Sequence, residues 1–129
     1  MNLLLDTHVF LWFLLDDSRL PEPFRQAIKF EENRVYLSVV SVWETAIKQQ
    51  LGKLPLPGPA AVYLPEARRR HHIEPLPLNE IDVTALTNLP SLHRDPFDRM
   101  LIAQSLHHSL KIVTVDPMMK RYPIQYLPG

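Results

Sequence analysis

The sequence lacks cysteine altogether and holds only three glycines among its 129 residues. Without cysteine the chain cannot form disulfides, thiolate zinc sites or a cysteine nucleophile, and this fits a reducing compartment. The three glycines, Gly52, Gly58 and Gly129, do not cluster. A loop that cradles the phosphates of a nucleotide needs closely spaced glycines. The sequence therefore excludes a nucleotide cofactor held by such a loop.

Net charge and a long apolar run are also missing. Lys and Arg together number 14, as do Asp and Glu, so the formal net charge is zero with neutral His. A protein that holds nucleic acid by its overall charge would be basic, so such binding here must use local patches. The longest early apolar run, residues 9–15, is far shorter than the roughly 20 residues of a membrane-spanning helix. The N-terminus also lacks the basic start of a signal peptide. We expect a soluble, cytoplasmic protein without a membrane partner.

The chain is long and apolar enough to form one domain over residues 1–129. Its hydrophobic fraction of 46% supports a buried core and excludes a disordered chain. Apolar runs and turn residues predict alternating strands and helices. The expected strands cover residues 2–5, 35–38, 73–78 (short or at an edge because of its prolines), 111–115 and 124–127. The expected helices run from Asp6-Thr7 to about 15, and over about 21–31, 60–72, 79–88 and 97–109, with one more after 39–44 that ends near Gly52.

Strands that alternate with helices indicate an α/β fold with a parallel sheet and helices on both faces. In such sheets, ligands bind beyond the carboxyl ends of the strands, where loops lead into helices. Chemistry is therefore expected in the residues that directly follow strands. Those residues are acidic.

Five carboxylates fall near these positions. Asp6 and Asp116 follow predicted strands, Glu44 lies near the start of a helix, and Asp95 and Asp98 lie at the start of another. Several negative charges in one cleft repel each other, and a hard cation such as Mg²⁺ or Mn²⁺ relieves that repulsion through oxygen ligands. Such sites commonly activate water against a phosphodiester. The pattern indicates a metal-dependent phosphodiesterase.

Each acid also has a purely structural explanation. Asp6 can cap a helix, and Asp98 in a first helical turn complements the helix dipole. Asp95 and Asp116 each precede a proline and suit turns. Glu44 can pair with Lys48 one helical turn later. The metal site is favoured because all five positions are expected at one end of the sheet.

Four segments resemble the PIN-domain family, and within it the VapC-type toxins of toxin–antitoxin pairs. The resemblance runs from residue 3 to about 126, with the four motifs in the family's order. They are Leu-Leu-Leu-Asp-Thr-His (3–8), Ser-Val-Val-Ser-Val-Trp-Glu (38–44) with Lys48 and Gly52-Lys53-Leu54, His-Arg-Asp-Pro-Phe-Asp-Arg-Met-Leu-Ile-Ala-Gln (93–104) and Ile-Val-Thr-Val-Asp (112–116).

The resemblance implies a three-layer α/β/α sandwich with a central parallel sheet, often paired as a homodimer. It also implies a Mg²⁺- or Mn²⁺-dependent endoribonuclease that cuts a specific RNA and is restrained by a cognate antitoxin. Asp6, Glu44, Asp98 and Asp116 match the family's acidic quartet, and Asp95 matches an additional acidic position. We assign Asp6, Asp98 and Asp116 to the principal metal. Glu44, with Asp95, would hold a second ion or orient the attacking water.

Other polar residues have supporting roles in this hypothesis. Thr114 is expected to donate a hydrogen bond to a metal-binding carboxylate. Basic side chains are candidates for contacts with RNA phosphates. These candidates are Arg68, Arg69, Arg70 and Arg94.

Several other side chains near the motifs are expected to serve the fold. His8 and His93 are expected to be structural, Arg99 to pair with a carboxylate, and Trp43 to pack. The apolar helix at residues 9–15 is expected to be buried in the core or in a dimer interface.

Alternative functions remain open on sequence grounds. An aspartyl-phosphate phosphatase would need a second acid where His8 stands, and a receiver domain would need an acidic pair beside Asp6. A PIN-like nucleic-acid-binding or processing protein without a toxin role is another possibility. A module that binds a structural ion without hydrolysis is the third. Metal-independent RNA binding without cleavage would identify that last class.

Overall fold

The structure is a computed structural model and describes residues 1–128. Its sheet has four parallel strands in the order β3-β2-β1-β4. The order places β1 at the centre, which agrees with its uninterrupted run of buried leucines. The strands are β1 (Asn2–Leu5), β2 (Arg34–Ser38), β3 (Glu74–Leu76) and β4 (Lys111–Val113).

Six α-helices are present in residues 1–128, and their ends carry the expected local sequence features. Ser38 and Asp95 accept backbone hydrogen bonds at the starts of two helices. Asp16 adopts a left-handed conformation at the end of another, which Asp tolerates. The helices are α1 (Thr7–Leu15), α2 (Glu22–Lys29), α3 (Val39–Gln50), α4 (Ala60–Arg70), α5 (Glu80–Thr87) and α6 (Pro96–His107), and a 3₁₀ helix covers Met119–Arg121.

Helices cover both faces of the sheet, as the alternation of side chains along β1 shows. Leu3 and Leu5 belong to a cluster with residues of α1, α2 and α4. Leu4 points to the other face and joins a cluster built mainly from α6 and residues after β4. The predicted three-layer α/β/α sandwich with a central parallel sheet is therefore confirmed. No helix within residues 1–128 has the length and apolar character to cross a membrane.

A buried hydrogen-bond network ties together two helices that hold acidic residues. Ser38 ends β2 and caps α3, and its hydroxyl donates to the side-chain oxygen of Gln104 on α6. The amide of Gln104 donates to the Pro77 carbonyl and to Asp82 at 3.2 Å each. Both Ser38 and Gln104 are fully buried. The start of α3 and the C-terminal half of α6 are thus held in a fixed relation.

Some strands and helices end at residues other than those predicted. The causes are a side-chain hydrogen bond in one case and a positive φ in another. The predicted strand at 111–115 ends at Val113, because the hydroxyl of Thr114 accepts the backbone N–H of Asp116. The predicted strand at 124–127 is a single parallel bridge between Ile112 and Tyr126. Helix α6 ends two residues early, since Ser109 adopts a positive φ of 55°.

The apolar helix α1 is buried largely within one chain. Val9, Phe10, Leu11 and Phe13 are all buried, whereas Leu15 at its end is 56% exposed. The prediction that this helix lies in a core is confirmed. The apolar composition of α1 is therefore explained by burial within one chain and is not evidence for a dimer.

Candidate metal centre

The carboxyl end of the sheet brings the five predicted acids together around Asp98. Asp6 directly follows β1, and Asp116 follows β4 by three residues. Carboxylate oxygens of Glu44, Asp95 and Asp98 lie within 4.8 Å of one another. Asp98 also lies within the electrostatic reach of Asp6 and Asp116. The arrangement is the one expected for a parallel sheet, where loops after neighbouring strands meet at one edge.

Asp98 shows the electrostatic strain of this cluster most clearly. Its side chain is only 14% exposed. Burial, and after it the charges of Asp6, Asp95, Glu44 and Asp116, raise the pKa of Asp98 to about 8. A carboxyl group holds its proton to that pH only if its ionised form lacks compensating charge. A bound cation would supply that charge.

Asp6 is held through one oxygen, while the other receives no hydrogen bond from the described residues. Thr114 Oγ1 donates to Asp6 Oδ2 at 2.7 Å, so the hydrogen bond expected of Thr114 is present. Asp6 Oδ1 is buried, and no donor from residues 1–128 bonds to it. Burial raises the pKa of Asp6, although the Thr114 hydrogen bond opposes the rise. The expected side-chain cap is wrong, because the carboxylate of Asp6 turns towards Thr114 instead of the N–H groups of α1.

Glu44 is held from two sides. Thr7 Oγ1 lies 2.8 Å from both Glu44 Oε1 and Ser41 Oγ. Since a hydroxyl has one proton, Thr7 donates to the carboxylate and accepts from Ser41. Lys48 Nζ lies 2.7 Å from Glu44 Oε2, so the proposed i,i+4 pair is also present. Burial lowers the pKa of Lys48, but Glu44, with Asp95 and Asp98, raises it overall.

Asp95 combines its two expected roles in one side chain. Its Oδ1 accepts from the backbone N–H groups of Phe97 at 2.9 Å and Asp98 at 3.2 Å, which caps α6. The cap uses one oxygen and leaves the second free of that duty. The N-terminus of α6 also points its positive dipole end at the cluster.

The acidic oxygens fit a hard divalent cation. Every acid in the cluster supplies oxygen ligands, which suit Mg²⁺ and Mn²⁺. Asp6 Oδ1 is a buried acceptor without a donor among the described residues, and Asp98 holds its proton to unusually high pH. A cation would satisfy both groups at once.

Sequence reasoning missed three residues of the site. Thr7, expected only at the start of a helix, donates to Glu44, and Ser41 donates in turn to Thr7. His93 was expected to be structural, but its Nε2 lies 3.0 Å from both Asp98 Oδ2 and Asp116 Oδ2. All three residues lie within the four segments that resemble the PIN-domain family. Their closeness in sequence to the acids is the one signal that indicates a role in the site.

The four predicted RNA-contact arginines separate into two groups. Arg94 is exposed and lies between two residues of the site, His93 and Asp95. Arg69 and Arg70 end α4 just before β3 begins, which places them at the opposite, amino edge of the sheet. Arg68 lines a surface groove, and no ion pair within residues 1–128 joins residues 68–70 to an acid. The structure does not bring residues 68–70 into the cluster.

Two further expectations concern the rim of the site. Arg99 was expected to pair with a carboxylate, but it donates to the Pro90 carbonyl at 3.0 Å instead. Trp43 packs as expected in a T-shaped contact with Phe97, with ring centroids 4.9 Å apart, but it also remains 55% exposed. Trp43 therefore offers most of its ring to solvent beside Glu44.

The sequence is similar to two curated ribonucleases of Mycobacterium tuberculosis. Ribonuclease VapC22 is 25% identical over 122 residues, which cover 94% of this chain and 92% of the relative. Ribonuclease VapC16 is 44% identical over 52 residues, which cover 40% of this chain and only 37% of the relative. The second match is therefore local, whereas the first extends over nearly the whole of both chains.

Solved structures with the same fold include a VapBC2 complex from Rickettsia felis bound to promoter DNA, with a TM-score of 0.74 and 14% identity over 99% of this chain and 98% of that one. VapBC-1 from nontypeable Haemophilus influenzae gives a TM-score of 0.68 at 16% identity, over 98% of this chain and 97% of that one. At these identities the likeness concerns the fold. The sequence itself matches the PIN domain over residues 3–125, and this chain belongs to the PIN-domain family.

Proposed function

We propose that the protein is a Mg²⁺- or Mn²⁺-dependent endoribonuclease that acts as the toxin of a type II toxin–antitoxin pair. One observation supports it above all: Asp6, whose buried Oδ1 receives no hydrogen bond from residues 1–128, lies close enough to Asp98 for its charge to raise the pKa of Asp98. The names of the two mycobacterial relatives, both ribonucleases of the VapC type, point to RNA as the substrate.

In this proposal Asp6, Asp98 and Asp116 hold the principal cation. Glu44 and Asp95 hold a second ion or orient the attacking water. A divalent cation bound there supplies an activated water and neutralises negative charge on the phosphodiester. We propose Mg²⁺ or Mn²⁺ because both ions prefer the all-carboxylate set that the cluster offers.

The chain's own residues prepare the carboxylates for this role. Thr114 fixes Asp6 through one oxygen, and no group in residues 1–128 donates to the other. Thr7 and Lys48 restrain the two oxygens of Glu44. Fixing ligands in advance avoids an ordering cost during the reaction.

RNA would approach along the rim where Arg94 and Trp43 are exposed. Arg94 provides a positive charge beside the acids, and such a charge attracts backbone phosphate. The exposed ring of Trp43 provides a face on which an unpaired base can stack. The exposed ring favours single-stranded RNA, whose bases are free to stack.

We also propose a cognate antitoxin as the protein partner. The structural neighbours include VapBC complexes and FitAcB from Neisseria gonorrhoeae, the last with a TM-score of 0.65 and 20% identity. The partner would be encoded by a small gene directly upstream. We place the protein in the cytoplasm, where RNA is available.

A homodimer belongs to the same proposal. Leu15 ends α1 and Phe30 directly follows α2. Both side chains are more than half exposed, and a second chain would cover them. Light scattering on the purified protein measures the mass directly. A monomer at micromolar concentration would contradict the dimer but leave the nuclease proposal intact.

The nuclease proposal is tested by incubating the purified protein with total cellular RNA and Mg²⁺ or Mn²⁺. We expect discrete new 5′ ends that map to a narrow set of RNA sites and disappear when EDTA is added. RNA binding without cleavage in every metal would identify a binding module and overturn the enzymatic proposal. Co-expression with the upstream gene product is expected to suppress the same cuts.

A further inference from the structure

His93 lies between two of the acids at the centre of the cluster. Its Nε2 lies 3.0 Å from Asp98 Oδ2 and 3.0 Å from Asp116 Oδ2. The ring is 15% exposed, so little water competes for this nitrogen. Distance alone allows two roles: a nitrogen ligand of the cation, or an N–H donor to the carboxylates.

The other ring nitrogen decides between these roles. The backbone N–H of Asp95 donates to His93 Nδ1 at 3.1 Å. A nitrogen that accepts a hydrogen bond has no proton, and neutral imidazole has one N–H. The proton therefore lies on Nε2, which faces the two carboxylates. A protonated ring nitrogen has no lone pair for a metal.

The position of His93 is fixed by groups outside the cluster. The hydroxyl of Tyr122 accepts from the backbone N–H of His93 at 2.8 Å and of Leu92 at 3.2 Å. Tyr122 is itself buried, and Arg99 Nη1 lies 3.4 Å from the same hydroxyl. The loop before α6 is thus anchored to the segment after β4, and the ring cannot swing freely.

We propose that His93 is a positioning residue that donates its Nε2 proton to the Asp98–Asp116 pair and does not ligate the cation. It holds the two carboxylates facing each other and leaves the cation an all-oxygen ligand set. The inference rests on the proposed metal-dependent function, because it concerns the same site. It predicts that the proton stays on Nε2 when the cation binds.

Long-range ¹H–¹⁵N NMR of the histidine rings tests this directly, with H93N used to assign the signals. We expect His93 to show a protonated Nε2 and an unprotonated Nδ1, both without Mg²⁺ and with saturating Mg²⁺. A proton on Nδ1, or loss of the Nε2 proton when Mg²⁺ is added, would overturn the inference. The signal reports the tautomer and does not depend on RNA cleavage.

Calorimetric titration with Mn²⁺ tests the positioning role through two variants. The Asn of H93N can reach the Nδ1 position but has no atom at Nε2, whereas the Gln of H93Q can place an N–H there. We expect H93N to bind Mn²⁺ roughly 10-fold to 100-fold more weakly, and H93Q to stay within about threefold of wild type. H72N is the matched control, since His72 is exposed and adopts a φ of 56° that Asn tolerates.

The outcomes separate this inference from the proposed function. A wild-type protein that binds no Mn²⁺ would overturn the metal-dependent function. Normal Mn²⁺ affinity in H93N, or no rescue by H93Q, would overturn only the positioning role. Thermal unfolding of each variant identifies one that does not fold, and then the wild-type NMR spectrum decides alone.

Discussion

Thr114 and Asp6, 108 positions apart in sequence, share a buried hydrogen bond of 2.7 Å at the carboxyl end of the sheet. The same hydroxyl accepts the backbone N–H of Asp116 at 3.0 Å. One side chain thus connects the ends of β1 and β4 and fixes the direction of Asp6. The other oxygen of Asp6 is buried and receives no hydrogen bond from residues 1–128.

Replacing Thr114 by valine removes the hydroxyl and keeps the shape of the side chain. Asp6 Oδ2 loses its donor and the N–H of Asp116 loses its acceptor. We expect T114V to lower the free energy of unfolding by about 1–3 kcal/mol and to weaken Mn²⁺ binding. Urea unfolding and calorimetry measure the two effects. The matched variant T114S retains the hydroxyl, so equal losses in T114S and T114V would show that the hydrogen bond contributes nothing.

Asp98 makes the stability of the metal-free protein depend on pH. Its pKa rises from 3.8 to about 8 on folding, so between these values the folded state binds more protons than the unfolded state. Its contribution to stability is therefore fully present below the unfolded pKa and is lost as the pH rises through about 8. With EDTA present, we expect D98N to unfold at a higher temperature than wild type near pH 9, with a smaller difference near pH 5.

Adding metal should favour wild type over D98N, the reverse of the order expected in EDTA. Mg²⁺ is expected to raise the melting temperature of wild type near pH 8 and to leave D98N nearly unchanged. D16N is the control, since Asp16 is exposed and pairs only with Arg25 on the surface. If the difference in melting temperature between wild type and D98N in EDTA does not vary with pH, the elevated pKa of Asp98 is contradicted.

The position of Arg94 predicts that it contributes more to RNA binding than the arginines at the end of α4. We expect R94Q to weaken RNA affinity and to reduce the slope of log K against log salt by nearly one. The double variant R69Q/R70Q should leave both quantities close to wild type. Filter binding with a catalytically inactive background over a salt series measures them. A larger loss in the double variant would identify residues 69–70 as the stronger RNA contacts.

Much of the site could be predicted because a parallel sheet brings its strand ends to one edge. Asp6 and Asp116 follow strands, so their convergence needs only the fold class. Thr114 lies two residues before Asp116, and the direction of its side chain was predictable from strand alternation. Glu44 and Asp98 lie on helices, and their place was indicated by the family motifs rather than by periodicity.

The remaining parts depend on contacts between distant segments. The Tyr122 hydroxyl fixes His93 by accepting its backbone N–H, and Tyr122 lies after β4, outside the four motif segments. Trp43 packs against Phe97 of α6 and yet stays 55% exposed, and no local pattern reveals that. The placement of residues 69–70 follows from where α4 ends relative to β3. A run of arginines near the end of a helix does not by itself indicate at which edge of the sheet that helix ends.

The central claim is that Asp98 and its neighbouring carboxylates hold the cation that RNA cleavage requires. The most direct measurement is the Mg²⁺ dependence of cleavage of a mapped RNA site by wild type, D98N and D16N. We predict saturable Mg²⁺ dependence in wild type and D16N, and a loss of more than about 100-fold in D98N at all Mg²⁺ concentrations. Cleavage by D98N at the wild-type rate, or cleavage that persists in EDTA, would contradict the account.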